Sequence, residues 1–154
     1  MRSIQSWLDE YGESHRNPVN KRLHWVCVPL IVLSVLGLLW SIPVPAGWAT
    51  HSHFNWGIAL IALALIYYYV LAWRLALGMT LVMLVMIAVV QAASQLSVAL
   101  WLLSLIVFVI AWIGQFIGHK VEGKKPSFFK DIQFLLIGPL WLLAFVYRRA
   151  GLSY

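Results

Sequence analysis

Four long apolar runs dominate this chain and restrict it to very few folds. They cover His24 to Ile42, Trp56 to Trp73, Leu77 to Ala93 and Val98 to Gly118, and none has a charged residue in its interior. Each is about as long as a helix must be to cross a hydrocarbon layer roughly 30 Å thick. Inside a bilayer a segment must satisfy its own backbone hydrogen bonds, so these runs are read as helices. The composition agrees: 62% of residues are hydrophobic and 10% are charged, against roughly 25% charged in ordinary soluble domains. The expected fold class is an all-α integral membrane protein, a single membrane domain over 1–154 with four transmembrane helices. A fifth apolar run, Ile132 to Tyr147, is shorter and is interrupted by Gly138-Pro139. It is read as a re-entrant or interfacial helix, with a fifth span as the alternative.

Charge placement sets the expected orientation. Arg2, Arg16, Lys21 and Arg22 precede the first run, Arg74 separates the second from the third, and Lys120, Lys124, Lys125 and Lys130 follow the fourth. The connections Ser41 to Asn55 and Ser94 to Ser97 hold no Lys or Arg. By the positive-inside rule the N-terminus and the 119–131 loop are cytoplasmic, in a bacterial inner membrane or the endoplasmic reticulum. Arg148 and Arg149 would favour the same side, which argues against a fifth span. The net charge of +6 is accounted for by this orientation and by membrane lipids, so nucleic acid is not expected as a partner. No cleavable signal peptide is read, because Asp9, Glu10 and Glu13 interrupt the first 23 residues and no apolar h-region precedes the first span.

Ahead of the first span, Ile4, Trp7, Leu8 and Tyr11 recur at helical spacing after Ser3. The pattern predicts a short amphipathic helix within 1–16, capped by Ser3 and lying in the headgroup region with Trp7 and Tyr11 as interface aromatics. Asn17-Pro18 reads as the cap and first residue of the next helix. Gly123 and Pro126 end the fourth span, Ser127 caps the fifth helix, and Tyr67, Tyr68, Tyr69 and Trp73 form an aromatic belt.

The polar residues at the ends of the apolar runs carry the chemistry. Tyr11, His15, Asn20 and His24 lead into the first span; Gln115, His119 and Glu122 close the fourth. With an even number of spans between them, the two groups emerge on one side. Cys27 is the only cysteine, so a metal here would be held by nitrogen and oxygen. His15, His24 and His119 with Glu122 can supply either two histidines and a carboxylate, as in non-haem Fe(II) oxygenases, or three histidines and a water, as for zinc or iron. Taken singly, each histidine is better explained as an interfacial residue at a helix end; taken together on one face, they point to a site. Asn20 and Gln115 can orient ligands or join helices, and Tyr11 can reach His15 one turn on. Lys120, Lys124 and Lys125 form a basic rim able to receive a substrate carboxylate. His51 and His53 fall on the opposite side and are excluded from the cluster.

The pattern Tyr11-x3-His15-x4-Asn20-x3-His24-x4-Pro29, followed by Gln115-Phe-Ile-Gly-His119-x2-Glu122-x3-Pro126, resembles the 2-hydroxy-fatty-acid dioxygenases. These are small membrane proteins related to the fungal enzyme of phytosphingosine α-oxidation. The resemblance implies an Fe(II)-dependent enzyme that converts a 2-hydroxy fatty acid and O2 to CO2 and a fatty acid one carbon shorter. It places the family's histidines at His15, His24 and His119, with Glu122 as a fourth ligand or the partner of one. No Rossmann fingerprint or P-loop is present, in keeping with a reaction that needs no nucleotide cosubstrate. Competing readings are a haem- or quinone-binding protein, a transporter, and a metal-independent assembly protein.

Overall fold

The computed structural model describes residues 2–49, 54–126 and 133–154, and among these the regular structure is entirely helical. In chain order the helices are α1 Ile4–Gly12, α2 Pro18–Trp40, the single-turn α3 Ala46–Ala49, α4 Trp56–Ala93, α5 Leu100–Glu122 and α6 Phe134–Arg149. The expectations for His51, His53 and Ser127 lie outside the described residues.

Helices α2, α4 and α5 are long and apolar enough to cross a membrane, with mean hydropathies of 2.2, 2.4 and 2.4 over their most apolar windows. Their outward faces are the apolar ones: Leu63, Leu81 and Ile110 are each more than 60% exposed. Polar Asn20, Ser34, Ser104 and Gln115 are buried instead. That inversion of a water-soluble domain is what a lipid surround favours, since lipid tails solvate leucine and penalise unpaired amides.

α2 packs chiefly on α5, and small residues let the backbones approach. A Cβ on Gly114 would stand 2.6 Å from Cys27 Sγ, and one on Gly118 would collide with Asn20 Oδ1. The Gly114-x3-Gly118 spacing keeps both on one face, the small-residue device common between membrane helices.

α4 contains both the second and the third expected spans. It is continuous except at Ala72, whose φ of −160° and ψ of 83° are not helical. Tyr69 Oη lies 3.1 Å from Thr80 Oγ1, although eleven residues of straight helix would separate their backbones by about 16 Å. The chain is therefore sharply bent at Ala72. The tyrosines before the bend do not form a uniform lipid-facing belt: Tyr68 is buried and donates to Leu136 O at 2.8 Å, and Tyr67 donates to Gln133 Oε1.

α1 and α2 begin as their sequences dictate. Ser3 Oγ accepts from Ser6 N, and Asn17 Oδ1 accepts from Val19 N with Pro18 in the first turn. The apolar face of α1 meets protein rather than headgroups. Trp7 packs edge-on against Phe134 at 5.2 Å and Tyr11 lies against Phe134 and Trp141, so both aromatics are buried by α6. α5 ends at Gly123, whose φ of +71° is the left-handed cap expected of it.

Candidate metal centre

The three histidines come from three local structures. His15 sits in the turn between α1 and α2, His24 two turns into α2, and His119 in the last turn of α5. Their side chains are buried, His15 and His24 to 1% exposure. One nitrogen from each lies within 4.8 Å of those of the other two.

Hydrogen bonding fixes the tautomers of two of them. His15 Nδ1 is 2.6 Å from Tyr11 O and His24 Nδ1 is 2.9 Å from Asn20 O. A carbonyl oxygen only accepts, so both Nδ1 atoms carry the proton, and in the neutral rings both Nε2 atoms present lone pairs. Those two Nε2 atoms face each other at 2.8 Å. Two lone pairs at that distance repel unless a cation lies between or beside them. The separation is close to the roughly 3.0 Å between neighbouring nitrogens that meet a first-row metal ion at right angles with bonds near 2.1 Å, and shorter than the roughly 3.4 Å of a tetrahedral site. His119 Nδ1 is buried and has no hydrogen-bond partner among the described residues, so a third ring nitrogen is available to ligate. The donor set fits a divalent transition metal, and nitrogens 2.8 Å apart leave no room for a haem between them.

Burial also keeps His15 neutral. Desolvation lowers its pKa from 6.5 to about 4, reinforced by His119 and Lys21 and opposed by the Tyr11 carbonyl and Glu122. Tyr11 stacks on the His15 ring at 4.2 Å with its plane tilted by 13°. Burial pushes its phenol pKa up, so Tyr11 contributes an uncharged wall.

Glu122 does not join the three nitrogens. Its Oε1 accepts from Arg16 N at 2.9 Å; its Oε2 accepts from Asn17 N at 2.8 Å and Asn20 Nδ2 at 3.1 Å. The carboxylate thus clamps the turn that carries His15 to the end of the helix that carries His119. Asn20 completes the clamp by donating to Ser14 O at 3.0 Å. These two donations fix its amide orientation and leave Oδ1 against Gly118.

Gln115 lines the space in front of the histidines, and its buried Oε1 has no hydrogen-bond partner among the described residues. That cavity holds about 60 Å³ and is completed by Trp112, Phe134, Leu135 and the α2 residues Val28, Ile31 and Val32. Among the rim lysines, Lys124 Nζ donates to Glu13 O at 2.8 Å, while Lys120 and Lys125 are exposed and do not line the cavity.

Comparison with known proteins decides the relationship. A family model described as 2-hydroxy-palmitic acid dioxygenase Mpo1-like matches residues 1–150. The chain belongs to this family. No curated protein and no solved structure matches it. The family match spans all three histidines and their supports, including parts to which sequence reasoning assigned no role. Among these are Ser14, Trp112, Trp141 and Gly118. Only Gly118 left a signal in the sequence, its four-residue spacing from Gly114.

Proposed function

We propose that the chain is a non-haem Fe(II)-dependent membrane dioxygenase acting on a 2-hydroxy fatty acid, with His15, His24 and His119 as ligands. The observation that carries this reading is the pair of Nε2 lone pairs held face to face by backbone carbonyls. The conversion R-CHOH-COOH + O2 → R-COOH + CO2 + H2O balances in atoms, and the substrate supplies all four electrons. No external reductant is needed. When bound, iron would bring the substrate oxygens and O2 together and stabilise developing charge.

The chain's own residues supply positioning and shielding. The Tyr11 and Asn20 carbonyls hold two imidazoles in the ligating tautomer. Glu122 acts on the ligands from one shell out, by fixing the His15 turn. Gln115 Oε1 accepts a hydrogen bond from the substrate's 2-hydroxyl, which satisfies an otherwise orphaned buried acceptor. Trp112, Phe134 and Leu135 exclude water. Lys120 and Lys125 attract the anionic head group to the membrane surface.

The same reading takes α4 as two spans folded at Ala72, giving four in all, with α6 along one face of the membrane. Both ends of α6 meet residues flanking the bend: Leu136 O accepts from Tyr68, and Tyr147 Oη donates to Arg74 O at 2.9 Å. The basic residues then share the cytoplasmic side with the histidines. In Cys27→Ser protein, Leu77→Cys and Lys125→Cys should be labelled from one side and Leu96→Cys from the other. Labelling of Leu77→Cys and Lys125→Cys from opposite sides would reject the topology.

Metal analysis of detergent-purified protein tests the function. About one iron per chain is expected, lost from a folded His15→Ala, His24→Ala, His119→Ala variant. The iron form should consume O2 and release CO2 in equal amounts from 2-hydroxypalmitic acid without added reductant. Zinc as the resident metal, or no metal after anaerobic Fe(II) addition, would refute the proposal.

A further inference from the structure

Next to the histidine cavity lies a second space, of about 170 Å³, lined by α2, α4 and α6 and almost wholly apolar. On α4 its wall is Met79, Met83 and Met86, a single face at i, i+4 and i+7. Two α2 residues, Val28 and Val32, line both this chamber and the histidine cavity. Met79 and Met83 in its lining are buried, whereas Trp25 and Val146 are 38% and 46% exposed. The chamber therefore adjoins the metal centre through two valines and opens toward lipid between α2 and α6.

We infer that this chamber holds the acyl chain of the substrate, which runs from the histidine cavity across Val28 and Val32 and leaves for the bilayer between Trp25 and Val146. The inference rests on the dioxygenase reading for the position of the head group. An apolar recess of this size favours a hydrocarbon occupant over water. An apolar cavity of about 150 Å³ admits benzene, so the chamber accommodates on the order of six carbons of an extended chain. Methionine suits such an occupant, because its unbranched thioether repacks around chains of different length. No polar atom of the lining calls for a head group, so the occupant is a tail and its polar end lies elsewhere.

A 2-hydroxy fatty acid carrying a diazirine near mid-chain tests this by photolabelling the purified iron-loaded protein. Label is expected in residues 79–86, displaced by unlabelled 2-hydroxypalmitic acid and not by phosphatidylcholine. Filling the chamber with Met83→Trp should abolish that labelling and shift the kcat/KM ratio of long to short 2-hydroxy acids about tenfold toward short ones. Iron content should not change. Label elsewhere, displacement by phospholipid alone, or an unchanged chain-length profile in folded, iron-loaded Met83→Trp would overturn the assignment. Specific labelling of residues 79–86 in a protein that turns over no 2-hydroxy acid would leave the chamber standing and reject the dioxygenase reading.

Discussion

Acid should destabilise the metal-free protein through His15 by an amount the structure specifies. Burial beside His119 lowers this imidazole's pKa from 6.5 to about 4. Between those two values the unfolded chain binds a proton at His15 and the folded chain does not. The contribution is therefore complete above pH 6.5 and is lost as pH falls from 6.5 toward 4. Each pH unit in that window is worth about 1.4 kcal/mol, so the whole effect is on the order of 3 kcal/mol. His15 is 1% exposed, so solvent screening does little to reduce it. Thermal unfolding of metal-stripped protein in detergent, stepped from about pH 8 to about pH 4, reads the effect. His15→Gln should show a Tm that falls more gently across the same window, by the slope of one proton. Equal slopes in the two proteins would refute the assignment of a neutral, desolvated imidazole at this position. Saturating Fe(II) should move the parent's acid limb downward, because metal and proton compete for the same Nε2 lone pair.

Replacing Glu122 with Ala removes the acceptor for Arg16 N, Asn17 N and Asn20 Nδ2. A loss of about 2–4 kcal/mol is expected by denaturation, with weakened iron binding because the His15 turn is released; a Glu122→Ala protein with unchanged iron affinity would show that the clamp does not position the centre. At Gly114 the crowding is by Cys27 Sγ, so Gly114→Ala should cost about 1–3 kcal/mol and adding Cys27→Ala should recover part of it. Strict additivity in that double-mutant cycle would disprove the contact. His119→Ala breaks no hydrogen bond at its Nδ1, so bound iron should be lost while Tm of the metal-free form falls by less than in Glu122→Ala. Retention of iron would remove His119 from the ligand set.

The histidine cluster was legible because its polar residues gather at the ends of two apolar runs, and all three imidazoles are found together. The caps at Ser3, Asn17 and Gly123 were legible because they depend on a few neighbouring residues. The setting of α1 was not. Its 3.6-residue periodicity marks an apolar face, yet that face would look the same against lipid or against α6, since both are hydrocarbon. Tyr68 misleads for a related reason: an aromatic with a polar tip suits the interface, and it equally suits burial against a carbonyl such as that of Leu136. Glu122 shares a helical face with His119, but its partners are fixed by where the 13–17 turn arrives, a tertiary event that spacing does not encode. The methionine chamber is likewise hidden, because its walls come from three segments far apart in the chain.

The docking of α1 on α6 has a consequence for the order in which the centre forms during synthesis. His15 and His24 leave the ribosome well before Phe134 and Trp141, whose surface buries Trp7 and Tyr11. A nascent chain lacking α6 has no platform on which α1 can close over its first histidine. Assembly of the centre is thereby deferred until α6 has been made, so a chain in the membrane that still lacks this helix does not present a finished site.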